Sequence, residues 1–499
     1  MVARVVVSIV TGIVDNDSMI DDDETPYICA DCIGESYLSA KVRRIGEEHE
    51  CCYCGEKIEA ISLDELAGEI ETAFAAHYTR TASDPDMYQS MMLRDKESNY
   101  EWEREGQETV YAIMEAAEIS EAAANDVQAI LEERHSDFDS ALLGEECEFA
   151  SDAHYEEIMP DDHEWQRGWH AFEKTIKSEA RFFSRTAAKQ LDDLFATIGQ
   201  MQTRNGRPII VEAGPEADLN HLFRARVFQS HQQLDAALAR PDRNLAPPPS
   251  RLASAGRMNA HGISVFYGAT EAGIALAEVR PPVGSQVMVA RFNIVRPIRL
   301  LDLTALPDLK EDGSIFDPEY AFRLGRMRFL KTLARRMSRP VMPDDQLSDY
   351  LPTQAVADFL ATESKVPLDG IIFPSVQANG SGLNVVLFHK SSRVEELDIP
   401  KGTEVSAHSY STDDDGPYPD YTVYEEVPPP ESDKEDEAAR DPFMMLAPDW
   451  EDITDGDYRD ITLRIDPQAI WVHIVEGVKI ETDEHKVSRH RWTKTDTPF

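Results

Sequence analysis

The chain reads as an α+β protein: a cysteine-rich knuckle, then an acidic helical region, then a mixed core of strands and helices. Three observations lead there. Two Cys-x-x-Cys pairs lie near the start. Stretches rich in Ala and Glu at helical spacing follow them. From residue 207 onward, short apolar runs alternate with amphipathic segments. A length of 499 residues fits about two to four domains, and 42% hydrophobic content is enough to pack their cores.

Residues 1–60 are read as an N-terminal extension and the knuckle. Cys29-x-x-Cys32 and Cys51-x-x-Cys54 are separated by 18 residues, the spacing at which two knuckles close on one tetrahedral zinc. Thiolates would fill all four positions at Cys29, Cys32, Cys51 and Cys54, so the ion is expected to be structural. Cys52 is a spare beside them, and Cys147 stands alone. Paired disulfides would need an oxidising compartment. The apolar run from Val5 to Val14 is too short for a secretory signal. It leads into Asp21, Asp22, Asp23 and Glu24 without a small-residue cleavage site. It reads as an upstream extension with Met19 an alternative start, and the protein is expected to be cytoplasmic. A redox role for the pairs would need a βαβ pattern around them, which is missing.

Residues 61–200 are read as an acidic helical domain. Ser62-Leu63-Asp64-Glu65 is a capping box opening a helix toward His77. A second helical pattern covers Glu105 to Glu133. A third runs from Trp165 to Ile198, with Trp165, Trp169, Phe172, Ile176, Phe183, Ala187 and Leu194 near helical spacing as core. Residues 205–408 form the central core. Strands are expected at Arg207 to Glu212, Val287 to Phe292, Ile298 to Leu303, Ile371 to Phe373 and Val385 to Phe388, with helices at Phe322 to Ser338 and Thr353 to Thr362. Residues 409–445, rich in Asp, Glu, Pro and Ser, read as a disordered linker or insertion. In 446–499, Ile461 to Ile465 and Ala469 to Val475 read as two strand runs that pair back onto the central sheet.

Net charge is -44, which disfavours a nucleic-acid partner held through its phosphates. The excess is uneven: from Arg207 to Asp398 there are 22 Lys+Arg and 22 Asp+Glu. A neutral, arginine-bearing core suits a small anionic ligand. No run approaches the roughly 18 apolar residues of a membrane span, so no membrane partner is expected.

Within the core, polar residues sit beside strand-like runs. They are Phe223-Arg224-Ala225-Arg226, Gly256-Arg257-Met258-Asn259, Phe266-Tyr267, Ala275-Leu276-Ala277-Glu278-Val279, Tyr350-Leu351-Pro352-Thr353-Gln354 and Phe373-Pro374-Ser375. In order and spacing, this set resembles the RES family, named for its arginine, glutamate and serine. The N-terminal half resembles the HEPN-type region that precedes RES domains in longer members. The first resemblance implies an ADP-ribosyltransferase-like fold and a toxin-type or defence-type enzyme. Such an enzyme degrades NAD by breaking its nicotinamide–ribose bond, with inorganic phosphate (phosphorylase) or water (glycohydrolase) as acceptor, and is usually neutralised by an antitoxin. Carried over residue by residue, it implies a catalytic set of Arg224, Arg257, Tyr267, Glu278 and Ser375. It adds Arg224, Arg257, Asn259 and Asn384 as binding residues for the dinucleotide.

The chemistry suits those residue types. Guanidinium groups match phosphate oxygens in pairs, so Arg224 and Arg257 can grip a pyrophosphate or an attacking phosphate. The bland reading of Arg224 is a strand-end ion pair. Arg226, two residues on, is read as structural. Loss of nicotinamide leaves an oxocarbenium-like sugar, which a carboxylate stabilises. Glu278 lies in an apolar run where an acid is costly to bury without purpose. The alternative is a solvated helix position. Tyr267 suits stacking on nicotinamide or bonding a phosphate, with core packing the competing role. Ser375 has no His-Asp pair to activate it and is read as a donor, not a nucleophile. Gly380, Gly382 and Asn384 read as a turn near the ligand. Two other functions share this grip: an ADP-ribosyltransferase acting on a macromolecule, and a binding module without turnover.

Overall fold

A computed structural model of the protein describes residues 25–95, 97–136, 146–377, 382–414, 416–429, 457–479 and 482–492. The expected extension over 1–24, Gly380 and the stretch 430–445 of the expected linker lie outside the described residues. Two compact units emerge: residues up to Asp161 together with Asp312–Gly325, and Asp162–Glu311 together with Arg326 onward.

In the first unit, a three-stranded antiparallel sheet places Lys57–Ser62 between Tyr27–Cys29 and Glu47–Glu50. Helix α1 (Ser36–Ile45) packs beside it. The capping box forms as the sequence predicts and opens α2 (Leu63–His77). Glu65 N donates to Ser62 Oγ at 3.2 Å, and Ser62 N donates to Glu65 Oε2 at 2.9 Å. The helix predicted over 105–133 is two helices, α3 (Thr109–Ala117) and α4 (Glu121–His135). The break is local: Glu118 takes a left-handed φ of 51°, and the Ser120 side chain accepts from Ala123 N to start the next helix. Leu63, Leu66, Ile70 and Phe74 of α2 meet Ile113, Val127 and Leu131 in one core, which Phe149 and Phe316 join.

The helical pattern over 165–198 also divides. Helix α5 (His163–Lys174) runs into a π-helical turn, Thr175–Glu179, and the chain breaks before α6 (Arg185–Phe195), which Ser184 caps. Phe183, expected in a core, lies on that break and is 96% exposed. By their contacts these helices group with the second unit. The reason is the aromatic stripe of α5. Trp169 lies 5.0 Å from Phe172 and 5.6 Å from Phe329 on α8 (Tyr320–Ser338), measured between ring centres. The stripe spends its apolar surface on the second unit's own helix.

The second unit is built on a nine-stranded mixed sheet. Its strands are β1 (Ile210–Ala213), β2 (His221–Phe228), β3 (Phe266–Ala269), β4 (Gln286–Ile294), β5 (Ile298–Asp302), β6 (Gly370–Pro374), β7 (Leu383–Leu387), β8 (Arg393–Glu395) and β9 (Ile461–Ile474). The spatial order is β8-β9-β4-β2-β3-β7-β6-β5-β1. β5 and β6 are parallel, as are β8 and β9, and the other neighbours are antiparallel. The two strand runs read after Ile461 are one strand. A bulge opposite Ala290 and Phe292 absorbs Asp466-Pro467 and lets the ladder continue. Helix α7 (Ala272–Glu278) packs on β2 and β4, and α9 (Leu351–Thr362) follows α8. Leu222, Met288, Ala290, Phe292, Leu300, Val385 and Leu387 fill the core on one sheet face.

Residues 409–426, read as linker, form most of a hairpin of Glu404–Asp413 against Gly416–Glu426. Composition masked a period-two pattern: Val405, Ala407 and Ser409 turn inward between exposed polar residues. Two bonds tie the hairpin down. Ser409 Oγ lies 3.0 Å from His231 Nδ1, and Gln286 Nε2 donates to Tyr421 OH at 3.0 Å. Among the described residues, no helix is long and apolar enough to cross a membrane.

Ser120→Ala should lower stability by about 1 kcal/mol through the lost cap. Phe183→Ser should change it by less than about 0.5 kcal/mol. Denaturant unfolding of both variants checks the helix breaks, since uninterrupted helices would invert the ranking.

Candidate active site

The site arises where two strands part. β2 pairs with β4 along eight residues, from Phe228 opposite Gln286 to His221 opposite Asn293. It pairs with β3 only at Phe223 opposite Ala269. Beside this junction lies a cleft of about 380 Å³, lined among others by Arg224, Arg257, Tyr267, Glu278, Arg280 and Asn384. Arg224 spans the parted strands: its Nη1 donates to Tyr267 O at 3.3 Å, and its guanidinium lies 4.9 Å from the Phe266 ring centre. Burial, together with the positive charge of Arg226, lowers its pKa to about 10, so it stays charged at neutral pH. Arg226 does not line the cleft. It is exposed and donates to Asn244 O at 2.5 Å.

Helix α7 delivers Glu278 as its last residue. The carboxylate oxygen Oε1 accepts from Ser375 Oγ at 2.6 Å and from Asn384 Nδ2 at 2.7 Å. Ser375 sits fully buried just past β6, and Asn384 lies in β7. The three residues come from different elements and meet on one oxygen. The other oxygen, Oε2, has no hydrogen-bond partner among the described residues, and the residue is half-buried on the cleft. Glu278 is therefore not a solvated helix position. The turn before Asn384 needs glycine: Gly382 has φ +86°, and a Cβ there would lie 2.5 Å from the Ile274 side chain.

A second cluster forms around Tyr267. Tyr267 OH donates to Asn259 Oδ1 at 2.9 Å and accepts from Met258 N at 3.0 Å. Burial pushes the phenol pKa up to about 12. Asn259, expected to bind the dinucleotide, does not line the cleft. Its Nδ2 donates to the carbonyls of Ser254, Ala260 and Ile263 at 3.0–3.2 Å, so its polar atoms are spent on closing its own loop. Gly256 must be small, since a Cβ would lie 2.5 Å from Asn259 Oδ1 and 2.8 Å from Tyr267 OH.

Arg257 does line the cleft, and part of it is already engaged. Its Nη1 donates to Met337 O at 3.1 Å and Arg339 O at 2.7 Å, and the guanidinium lies 5.2 Å from the Tyr350 ring centre. The Tyr-Leu-Pro-Thr-Gln segment explains this placement. Thr353 Oγ1 donates to Arg257 O at 2.6 Å, and Gln354 Nε2 to Gly256 O at 2.7 Å. From sequence alone this segment, headed by the cleft residue Tyr350, has no evident role, and Arg280 on the cleft wall does not stand out. A signal for Arg280 existed in the Arg-Pro-Pro step directly after the helix.

Residues 221–413 match the family model of the RES domain. The second unit carries a RES domain. Residues 44–190 match HEPN/RES N-terminal domain 1. No curated protein and no solved structure matches the chain. The RES match takes in every cleft residue named above, and β1 and β9 extend its sheet outside the matched range.

The four knuckle cysteines of the first unit converge. The sulfurs of Cys29, Cys32, Cys51 and Cys54 lie within 4.8 Å of one another, with Cys29–Cys54 at 3.6 Å and Cys32–Cys51 at 3.7 Å. A tetrahedron of zinc–sulfur bonds of about 2.3 Å has edges of about 3.8 Å, so the set fits a zinc ion.

Tyr267 should keep its proton until about pH 12. A raised folded-state pKa means its contribution to stability is full below pH 10 and falls as pH rises toward 12. The difference in phenolate absorbance between wild type and Tyr267→Phe checks this, and a midpoint near 10 would contradict the buried geometry.

Proposed function

We propose that the RES cleft binds NAD and breaks its nicotinamide–ribose bond, passing the ribosyl group to phosphate or water. The observation that carries this reading is the Glu278 carboxylate, fixed by Ser375 and Asn384 while its second oxygen has no partner among the described residues on the arginine-lined cleft.

The chemistry follows from the placement. The C1′–N bond breaks heterolytically, and its electron pair leaves with nicotinamide, cancelling the pyridinium charge. The ribosyl carbon becomes oxocarbenium-like. Glu278 supplies negative charge beside it and can accept a hydrogen bond from a ribose hydroxyl. Ser375 and Asn384 hold the carboxylate rotamer, so this charge needs no reorganisation during reaction. Arg224 remains cationic and supplies positive charge for phosphate oxygens. Arg257 shapes the wall and can lend its remaining donors to the same anion. An acceptor oxygen then attacks C1′ and loses its proton to Glu278 or solvent. Tyr267 acts through the loop it pins, and the residue lines the cleft. The RES resemblance supports a toxin-type or defence-type role with a neutralising partner.

We also propose that Cys29, Cys32, Cys51 and Cys54 hold one structural zinc. Purified protein should contain about one zinc per chain by metal analysis, and Cys51→Ser should lose it. Chelation should unfold the first unit.

Purified protein should consume NAD, and Glu278→Gln should slow turnover roughly 100-fold or more. Ser375→Ala and Asn384→Ala should each slow it less, because one donor remains. Consumption that depends on phosphate identifies a phosphorylase, and consumption without it a glycohydrolase. Labelled ADP-ribose fixed to a macromolecule, with no free product, would replace this reading by transfer. NAD binding without turnover would reduce the RES domain to a sensor.

A further inference from the structure

Three arginines line the cleft, and they differ in what their guanidinium groups already hold. Arg224 donates to Tyr267 O, and Arg257 donates to the carbonyls that end α8 and follow it. Arg280 lines the same cleft and is exposed. Among the described residues, its side chain makes no hydrogen bond and no ion pair. Other described arginines, Arg251 and Arg299 among them, also hold no such bond, and what sets Arg280 apart is its place on the cleft.

The backbone of Arg280 is a second, independent observation. Its φ is 45°, a left-handed value shared among described non-glycine residues only by Glu118 and Phe149. Pro281 follows, and a residue before proline is pushed toward extended conformations. Glycine would take this position without penalty, yet an arginine occupies it. Strained backbone of this kind gathers at ligand sites. Here it has a definite effect. Arg280 N donates to Ala277 O at 3.2 Å, the helix stops, and both Glu278 and Arg280 face the cleft from the same turn.

We propose that Arg280 is a phosphate-binding residue that grips the diphosphate of the dinucleotide while Glu278, two residues earlier, addresses its ribose. This rests on the NAD reading and deepens it. The guanidinium fork matches two phosphate oxygens at once, and its donors are uncommitted before ligand arrives. One turn then fixes the spacing between the charge that holds the substrate and the charge that serves the reacting sugar. Phosphate-free nucleosides would forgo this contact.

The test uses the full chain, with ADP-ribose and adenosine as calorimetric probes, and NAD turnover alongside. Arg280→Gly retains the left-handed turn while removing the guanidinium, so it separates side chain from backbone. It should weaken ADP-ribose binding roughly tenfold or more. Adenosine binding should change less than about twofold. Arg280→Lys should recover part of the loss, and KM for NAD should rise by a larger factor than kcat falls. Wild-type affinity for ADP-ribose in Arg280→Gly would overturn the proposal. Equal loss of ADP-ribose and adenosine would overturn it too, by showing a structural role, and so would a wild type that binds no ADP-ribose. If wild type binds ADP-ribose but leaves NAD intact, the cleavage reading fails, and the binding ratio still judges Arg280 alone.

Discussion

One oxygen atom organises the cleft. Oε1 of Glu278 accepts from Ser375 and Asn384, which lie 97 and 106 residues further along the chain. Those bonds draw the end of α7 to the sheet at β6 and β7. A half-buried carboxylate is costly to hold without donors, and two donors on one oxygen both offset that cost and fix its rotamer. Because β6 and β7 are central strands, their positions are set by the hydrophobic core beneath them. The precision of the carboxylate is thus inherited from packing that has no chemistry of its own.

The loop that carries Arg257 follows the same logic with a different device. A loop cannot hold an arginine in place unless its own polar groups are satisfied. Asn259 meets that need by bonding three carbonyls of its loop and the Tyr267 hydroxyl. Thr353 and Gln354 then dock the loop onto α9 through its carbonyls. The polar atoms of Tyr267 and Asn259 bond to each other and to their own loop. Polar residues in a family pattern divide in this way between those that face the ligand and those that hold them.

Helix breaks were the hardest features to read from periodicity. The apolar spacing continues across 118–120 and 180–184, but a left-handed residue or a capping serine restarts the helix in a new direction. The same limit hides which elements α5 packs against. A stripe of tryptophans announces that a partner exists, and the identity of that partner depends on where Phe329 lies in space. The hairpin at 404–426 escaped notice for a related reason: acidic, proline-rich composition outweighed a short alternating pattern.

What the amino-acid sequence by itself determined were the local and combinatorial features. The capping box, most core strands, the paired Cys-x-x-Cys spacing and the ordered set of Arg224, Arg257, Tyr267, Glu278 and Ser375 were all legible, because each depends on residue type at short range or on order along the chain. Only the tertiary structure decided which of these share a surface. It separated Arg224, on the cleft, from Arg226, turned to Asn244, and it spent Asn259 on its own loop. It also exposed Arg280, whose importance comes from a backbone angle and from the absence of a partner among the described residues. Those properties depend on how the closed chain arranges each group, which residue order alone does not reveal.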